Sequence, residues 1–119
     1  MSRDPHKLKA FVLAELVVDV YRATAAFPSE ERFGLQAQLR RAAVSVPANL
    51  VEGCARRTLP DYLHFIGIAT GSASEVRYLL GLANRLGYLP APTSDALATR
   101  YSDLIRALQR LIGALESRA

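Results

Sequence analysis

The feature that most constrains this chain is a repeated alternation of three- and four-residue steps between its apolar residues. Such steps place side chains on one face of an α-helix, whereas a half-buried strand would alternate at every second residue. Four segments carry this spacing, and we call the residues that share the face of each predicted helix its seam. Their seams are Ala10, Leu13, Val17, Val20, Thr24 and Phe27; Leu35, Leu39, Ala42, Val46 and Asn49; Tyr62, Phe65, Ala69, Ser72, Val76, Leu79, Ala83 and Leu86; and Leu97, Tyr101, Leu104, Leu108, Leu111 and Leu115.

Capping and breaking residues set the limits of the four predicted helices, which cover about residues 5–27, 30–53, 59–87 and 94–117. Starts are marked by Asp4-Pro5, Ser29, Thr58 and Thr93 or Ser94, and ends by Pro28, Gly53 and Gly87. Oxygen-bearing side chains cap the first turn, whereas Gly and Pro terminate helices. Pro47 falls inside the second seam, so we expect it to kink that helix and not to end it.

Length and composition limit the architecture to one small globular domain. The chain has 119 residues, half of them apolar, which is enough for one core and too short for two ordinary domains. Cys54 is the only cysteine, which excludes a disulfide scaffold. Four helices with short connections predict an all-α, antiparallel up-down four-helix bundle spanning residues 1–119.

The third predicted helix has more apolar surface than one bundle face needs. Beside its seam it carries Leu63, Ile66, Ile68, Ala73, Leu80 and Leu82. A helix in a monomeric bundle buries one stripe, so we expect the second side to be buried against another copy. The sequence therefore predicts a homo-oligomer, and a monomer with an uneven core is the alternative.

Charge is concentrated in one quarter of the chain. The formal net charge is +4, and residues 32–57 carry five arginines against the single acid Glu52. One explanation is that the planar guanidinium of arginine donates two parallel hydrogen bonds to a phosphate or a carboxylate. The alternative is that a GC-rich genome favours Arg codons over Lys codons. The longest uncharged run, residues 62–74, is too short to span a bilayer, and no export signal precedes it. We expect a cytoplasmic protein with no membrane association.

No pattern of catalytic or metal-binding residues stands out. His6 and His64 are far apart, and one cysteine with two separated histidines makes a poor metal set. A Cys54–His64 nucleophile pair lacks an orienting group. We therefore expect no enzyme activity, no metal and no cofactor; a hydrolase using Glu52 or His64 stays a third alternative.

A polar stripe on the second helix is the most suggestive constellation. Arg41, Ser45, Asn49, Glu52 and Arg56 follow one another at steps of four, four, three and four, close to one face. Glu75 on the third helix is a further possible partner for an arginine. One interpretation is a structural polar network of Ser45, Asn49, Glu52 and Glu75. The other is that the arginines bind phosphate or an acidic partner.

Three stretches resemble a known family. They are F-P-S-E-E-R-F-G-L-Q-A-Q-L-R-R-A-A-V-S-V-P-A-N-L-V-E-G at 27–53, R-R-T-L-P-D-Y-L-H-F-I-G-I-A-T-G-S-A-S-E at 56–75 and L-A-N-R-L-G-Y-L at 82–89. Together they are similar to the four-helix-bundle 23S rRNA intervening-sequence proteins. The matching residues are Arg40, Arg41, Ser45, Pro47, Asn49, Glu52, Gly53, Arg57, Gly71, Ser72, Glu75, Gly87 and Tyr88.

The resemblance implies an up-down bundle assembled as a closed ring of five. Some members are encoded within insertions in large-subunit rRNA genes, and similar bundles are accessory factors to retroelement reverse transcriptases. The chain departs from the family pattern in three places. Cys54 stands where an aromatic residue is common, Leu59-Pro60 where lysines are usual, and Trp is absent. These departures remove basic and aromatic character from the region a nucleic acid would touch.

Besides the hydrolase alternative, two binding functions remain in competition. In the first, an oligomer binds the backbone of RNA or DNA without reading its sequence, through Arg40, Arg41, Arg56 and Arg57, helped by Lys7 and Lys9. Arg40 and Arg41 belong to that set only if packing leaves them open. In the second, the same oligomer is a scaffold or accessory subunit that docks a protein partner and binds no nucleic acid.

Overall fold

The computed structural model describes residues 10–118, with side chains from residue 12 onward. Four helices account for most of them: α1 (Ala10–Thr24), α2 (Leu35–Cys54), α3 (Leu59–Arg85) and α4 (Ala91–Glu116). A single short 3₁₀ turn, Ser29–Glu31, lies between α1 and α2, and no strand occurs within residues 10–118. The all-α class predicted from the spacing is therefore confirmed.

Each helix sends one face into a common apolar core. The seam residues Leu39, Val46, Tyr62, Val76 and Tyr101 are at most 1% exposed. Within residues 12–118, eight residues of the buried hydrophobic core lie outside the predicted seams: Leu16, Ala43, Leu50, Ile66, Ala73, Leu80, Leu89 and Ile105.

The excess apolar surface of α3 is smaller than the sequence predicts. Ile66, Ala73 and Leu80, expected on a second face, are fully buried in the core of this single copy. The reason is position: α3 packs extensively on both α2 and α4, so its buried arc is wider than one stripe. Leu86, expected in the seam, is instead 50% exposed. Leu63 and Leu82 are half-buried and Ile68 is 38% exposed, so a copy packed on α3 stays a prediction.

The connection between α1 and α2 differs from the prediction. The residues after Pro28 form only the 3₁₀ turn, and α2 begins at Leu35, after Gly34. Glu31 explains the delay, because its Oε1 accepts the backbone N–H of Leu35 at 3.0 Å and satisfies the start of α2 from outside the helix. α1 correspondingly ends at Thr24 and not at Phe27.

The caps of α3 agree with the sequence prediction, whereas the start of α4 does not. Thr58 Oγ1 accepts the N–H of Asp61 at 3.2 Å. Gly87 has φ +80°, and the N–H of Tyr88 reaches back to the carbonyl of Ala83 at 2.9 Å, which closes α3. α4 begins at Ala91, since Pro90 lies at its cap position and Ser94, expected as a cap, is buried inside the first turns.

Polar contacts between neighbouring helices fix the position of each helix along the axis of the next. Ser94 Oγ donates to the carbonyl of Leu80 at 3.1 Å, which joins α4 to α3. Arg100 Nη1 lies 2.6 Å from Oδ2 of Asp19 and joins α4 to α1. The turn between α2 and α3 is exposed at residues 55–58.

Candidate nucleic-acid interface

Arg40, the first predicted nucleic-acid contact, is occupied by α1. Its Nε donates to Oγ1 of Thr24 at 2.9 Å and its Nη2 to the carbonyl of Tyr21 at 3.1 Å. The guanidinium carbon lies 4.5 Å from the centre of the Tyr21 ring. A cation at the C-terminal end of a helix also meets the negative end of its dipole. Arg40 therefore joins α2 to α1, and we remove it from the candidate interface.

Arg41, the next residue, is exposed at the mouth of a polar groove between α2 and α3. The groove has a volume of about 330 Å³ and is lined by Gln38, Arg41, Ala42, Ser45, Ser72 and Glu75. Arg41 and Glu75 both line it, yet no ion pair joins them within residues 12–118. Arg41 stays available to an external anion.

The predicted polar network exists in part, and its centre includes a residue that the sequence placed elsewhere. Ser45 Oγ and Ser72 Oγ lie 2.8 Å apart and bridge α2 to α3. Asn49 Nδ2 donates to the carbonyl and the hydroxyl of Ser45, at 2.8 and 2.9 Å. The spacing of apolar residues places Ser72 in the seam of α3. A hydroxyl inside an otherwise apolar seam was the signal that it needed a partner.

Glu52 and Arg56 form an ion pair at the end of α2, with both side chains roughly half exposed. The guanidinium of Arg56 also lies over the ring of Phe65, 4.8 Å from its centre. Phe65 packs edge-on to His64, with ring centres 5.4 Å apart. A cation held over an aromatic ring, next to a second ring, is an arrangement that also suits bases and phosphates.

Gly53 allows this arrangement by letting α2 approach α3 closely. A Cβ at this position would lie 3.0 Å from Cβ of Phe65 and 3.1 Å from Cδ1 of Tyr62. Gly53 is buried, although it lies only three residues before Arg56. α2 ends at Cys54, one residue after the stop predicted at Gly53, and Gly53 is in addition a point of close contact with α3.

Arg57 is exposed in the turn between α2 and α3, and within residues 12–118 it takes part in no ion pair. Lys7 and Lys9 lie outside the described residues. Asp61 in the first turn of α3 and Glu52 at the end of α2 offset much of the local positive charge. One copy alone therefore presents two arginines whose charge is nearly balanced.

The acidic residues and His64 bear on the alternatives that involve metal or catalysis. Within residues 12–118, no three His, Cys, Asp or Glu side chains are grouped so as to hold a metal ion. His64 is exposed and lies beside Phe65.

Among the helices of residues 10–118, none has the length and apolar content to cross a membrane.

Two comparisons with known proteins give the same answer. The profile of the 23S rRNA-intervening sequence protein family matches residues 9–110. A crystal structure from Bacteroides thetaiotaomicron, described as a protein of unknown function from the S23 ribosomal protein family, has a similar fold. The similarity has a TM-score of 0.76 at 21% identity and covers 85% of this chain and 94% of the other. No curated protein matches the chain.

The family match covers most of the chain, including α2, α3 and the turn between them. The similar crystal structure shares the fold of these helices. The chain therefore belongs to the 23S rRNA-intervening sequence protein family.

Proposed function

We propose that this chain is a non-enzymatic, cytoplasmic bundle protein that forms a homo-oligomer and binds nucleic-acid backbone at the turn between α2 and α3. The observation that carries the proposal is the pairing of two arginines there. Arg57 is exposed, and Arg56 is held over the ring of Phe65. We further propose that the helices follow the antiparallel up-down order predicted from their short connections.

Repetition of the turn is central to the proposal. In one copy, Glu52 and Asp61 lie close in sequence to the two arginines and reduce their attraction for phosphate. An exposed ion pair such as Glu52–Arg56 is worth only about 0.2–1 kcal/mol, so a phosphate can displace the carboxylate. A ring of five, as the resemblance implies, would carry five such turns and a formal charge five times the +4 of one chain. Arg41 would add a second contact beside the polar groove.

The test is binding of labelled single-stranded RNA and of duplex DNA by the full chain across a salt series. We expect log-linear weakening with salt, because each neutralised phosphate releases a counterion. The variant Arg56→Glu/Arg57→Glu should lose binding while its solution mass is unchanged. The matched control is Arg85→Glu/Arg110→Glu, which changes the net charge equally at exposed positions elsewhere.

Three outcomes would contradict the proposal. The first is an intact oligomer that binds neither nucleic acid at low salt. The second is equal loss of binding in the control variant, which would show that overall charge and not the turn is responsible. The third is undiminished binding by Arg56→Glu/Arg57→Glu.

A protein-interaction scaffold is the second candidate, favoured by two large exposed aromatic side chains. Phe33 is 89% exposed and Tyr78 is 69% exposed. Exposed aromatic residues often anchor protein interfaces. This candidate predicts a protein partner that the wild-type chain captures and Phe33→Ser or Tyr78→Ser loses, with no nucleic acid retained by either.

A further inference from the structure

Three planar side chains meet beside the turn between α2 and α3. The guanidinium carbon of Arg56 lies 4.8 Å from the centre of the Phe65 ring, and the centre of the His64 ring lies 5.4 Å from it, with 75° between the two ring planes. The guanidinium carbon and the His64 ring centre are therefore at most about 10 Å apart, the sum of these two distances. Arg56 and His64 are exposed, whereas Phe65 is half-buried. A cation and an aromatic ring thus reach solvent from one small area.

The ring of His64 takes no part in the core of the bundle. Tyr62 and Ile66, two residues before it and two after it, are buried, so the side chain of His64 is turned by about 200° from each and points away from the core. Within residues 12–118, its ring nitrogens have no hydrogen-bond or ion-pair partner. An exposed ring that is held only at its side, by Phe65, is available to stack on a ligand.

We propose that this surface binds single-stranded nucleic acid, with one unpaired base stacked on the ring of His64 and the adjoining phosphate bound by Arg56 and Arg57. The inference rests on the proposed function, which assigns only the backbone, and it adds the part of the nucleotide that lies beside the arginines. Stacking needs an open face of a base, which a single strand offers and an intact duplex offers only at its ends. A base and its own phosphate can bridge the distance between the His64 ring and the guanidinium of Arg56.

Charge alone would give the opposite preference between the two kinds of strand. A duplex has the higher density of phosphates, so a surface that bound only phosphate would hold a duplex at least as tightly as a single strand. Loss of an aromatic side chain that stacks on a base commonly weakens binding of a single strand by about fivefold or more. The contribution of His64 can therefore be measured separately from that of the arginines.

The test compares three labelled ligands on the full chain by fluorescence anisotropy: oligothymidylate of about 12 nucleotides, a deoxyribose-phosphate strand of the same length without bases, and a duplex of the same length. The wild type should bind oligothymidylate about fivefold or more tightly than the strand without bases, because the two have equal charge. His64→Ala should remove this difference and leave the affinities for the strand without bases and for the duplex unchanged. Oligouridylate is a parallel arm that separates RNA from DNA, and the same effect of His64→Ala on either strand supports the proposal.

Two further variants separate stacking from charge and from general adhesion to aromatic residues. His64→Phe keeps a ring beside Phe65 and loses both ring nitrogens, so it should bind oligothymidylate as tightly as the wild type does. Tyr78→Ala removes an exposed aromatic ring farther along α3 and should change none of the three affinities.

Contrary results distinguish this proposal from the proposed function. The base contact is overturned if His64→Ala binds oligothymidylate as tightly as the wild type does, or if His64→Phe binds it as weakly as His64→Ala. A wild-type chain that binds all three ligands, with no effect of His64→Ala, overturns the base contact alone and leaves the proposed function in place. A wild-type chain that binds none of the three at low salt overturns both.

Discussion

Arg40 ties α2 to the end of α1 through Thr24, whose hydroxyl accepts from Nε of Arg40 at 2.9 Å. The same hydroxyl donates to the carbonyl of Val20 at 2.9 Å, and Thr24 itself is fully buried. Gln36 Nε2 adds a further link between the two helices by donating to the carbonyl of Thr24 at 2.8 Å. The last turn of α1 thus receives its partners from the first half of α2.

Replacing Arg40 should therefore destabilise the fold, whereas replacing its neighbour should not. We expect Arg40→Ala to lower the free energy of unfolding by about 1–3 kcal/mol, because the buried Thr24 hydroxyl loses the charged group that donates a hydrogen bond to it. Arg41→Ala, at an exposed position, should change it by less than about 0.5 kcal/mol. Urea denaturation of both variants checks this, and equal stability of the two would show that Arg40 is not the tie between these helices.

The Ser45–Ser72 hydrogen bond should contribute measurably to the packing of α2 on α3. We expect Ser72→Ala to cost about 0.5–1.5 kcal/mol of unfolding free energy, since Ser45 loses its partner across the interface. Ser74→Ala, two residues away at an equally half-buried position, is the matched control and should be nearly neutral. A double-mutant cycle with Ser45→Ala should show coupling between the two serines, and strict additivity would exclude it.

Two glycine-to-alanine substitutions should have opposite signs. Gly53→Ala places a Cβ 3.0 Å from Cβ of Phe65, so we expect a loss of about 1–3 kcal/mol from forced movement of α3. Gly67→Ala, in the middle of α3, meets nothing within 4 Å and should stabilise the helix by about 0.5–1 kcal/mol. Thermal unfolding of the two variants measures both signs. A stabilising Gly53→Ala would contradict the close approach.

Tyr101 should make the fold sensitive to alkaline pH. Its side chain is 1% exposed, and within residues 12–118 its hydroxyl has no hydrogen-bond partner. Burial raises the pKa of Tyr101 above its ordinary value of 10.0. The folded state therefore holds this proton more tightly than the unfolded state does, so its stabilising effect is complete below pH 10 and is lost as pH rises above it.

Tyr101→Phe tests this pH dependence directly. It should unfold less readily above pH 10 than the wild type does and should be as stable or slightly more stable at pH 7, because no hydrogen bond is lost. Tyr78→Phe, at a position 69% exposed, is the control and should leave the alkaline profile unchanged. If Tyr101→Phe keeps the wild-type alkaline profile, the loss of stability at high pH comes from other groups. Tyr88 is one such group, because its hydrogen bond to Glu31 is the main cause of its raised pKa.

Local chemistry along the chain determined that there are four helices and where several of them stop. The seams, the Thr58 cap and the left-handed Gly87 depend on residues within one or two turns of each other, so the sequence alone contains them. The same holds for the polar stripe on α2, whose members share a face because of their spacing. Family membership followed from ordered motifs in the same stretches.

Only tertiary packing decided what these faces meet. Arg40 and Arg41 are adjacent and chemically identical, yet one is bound to Thr24 of α1 and the other is exposed beside a groove. Ile66, Ala73 and Leu80 are buried because α3 lies between two neighbours, and Ser72 faces Ser45 because of the register of α3 on α2. Helical periodicity fixes the direction in which a side chain points around the axis of its own helix. The position and rotation of the neighbouring helix depend on contacts between residues far apart in sequence, and those contacts determine which arginines remain available to a partner.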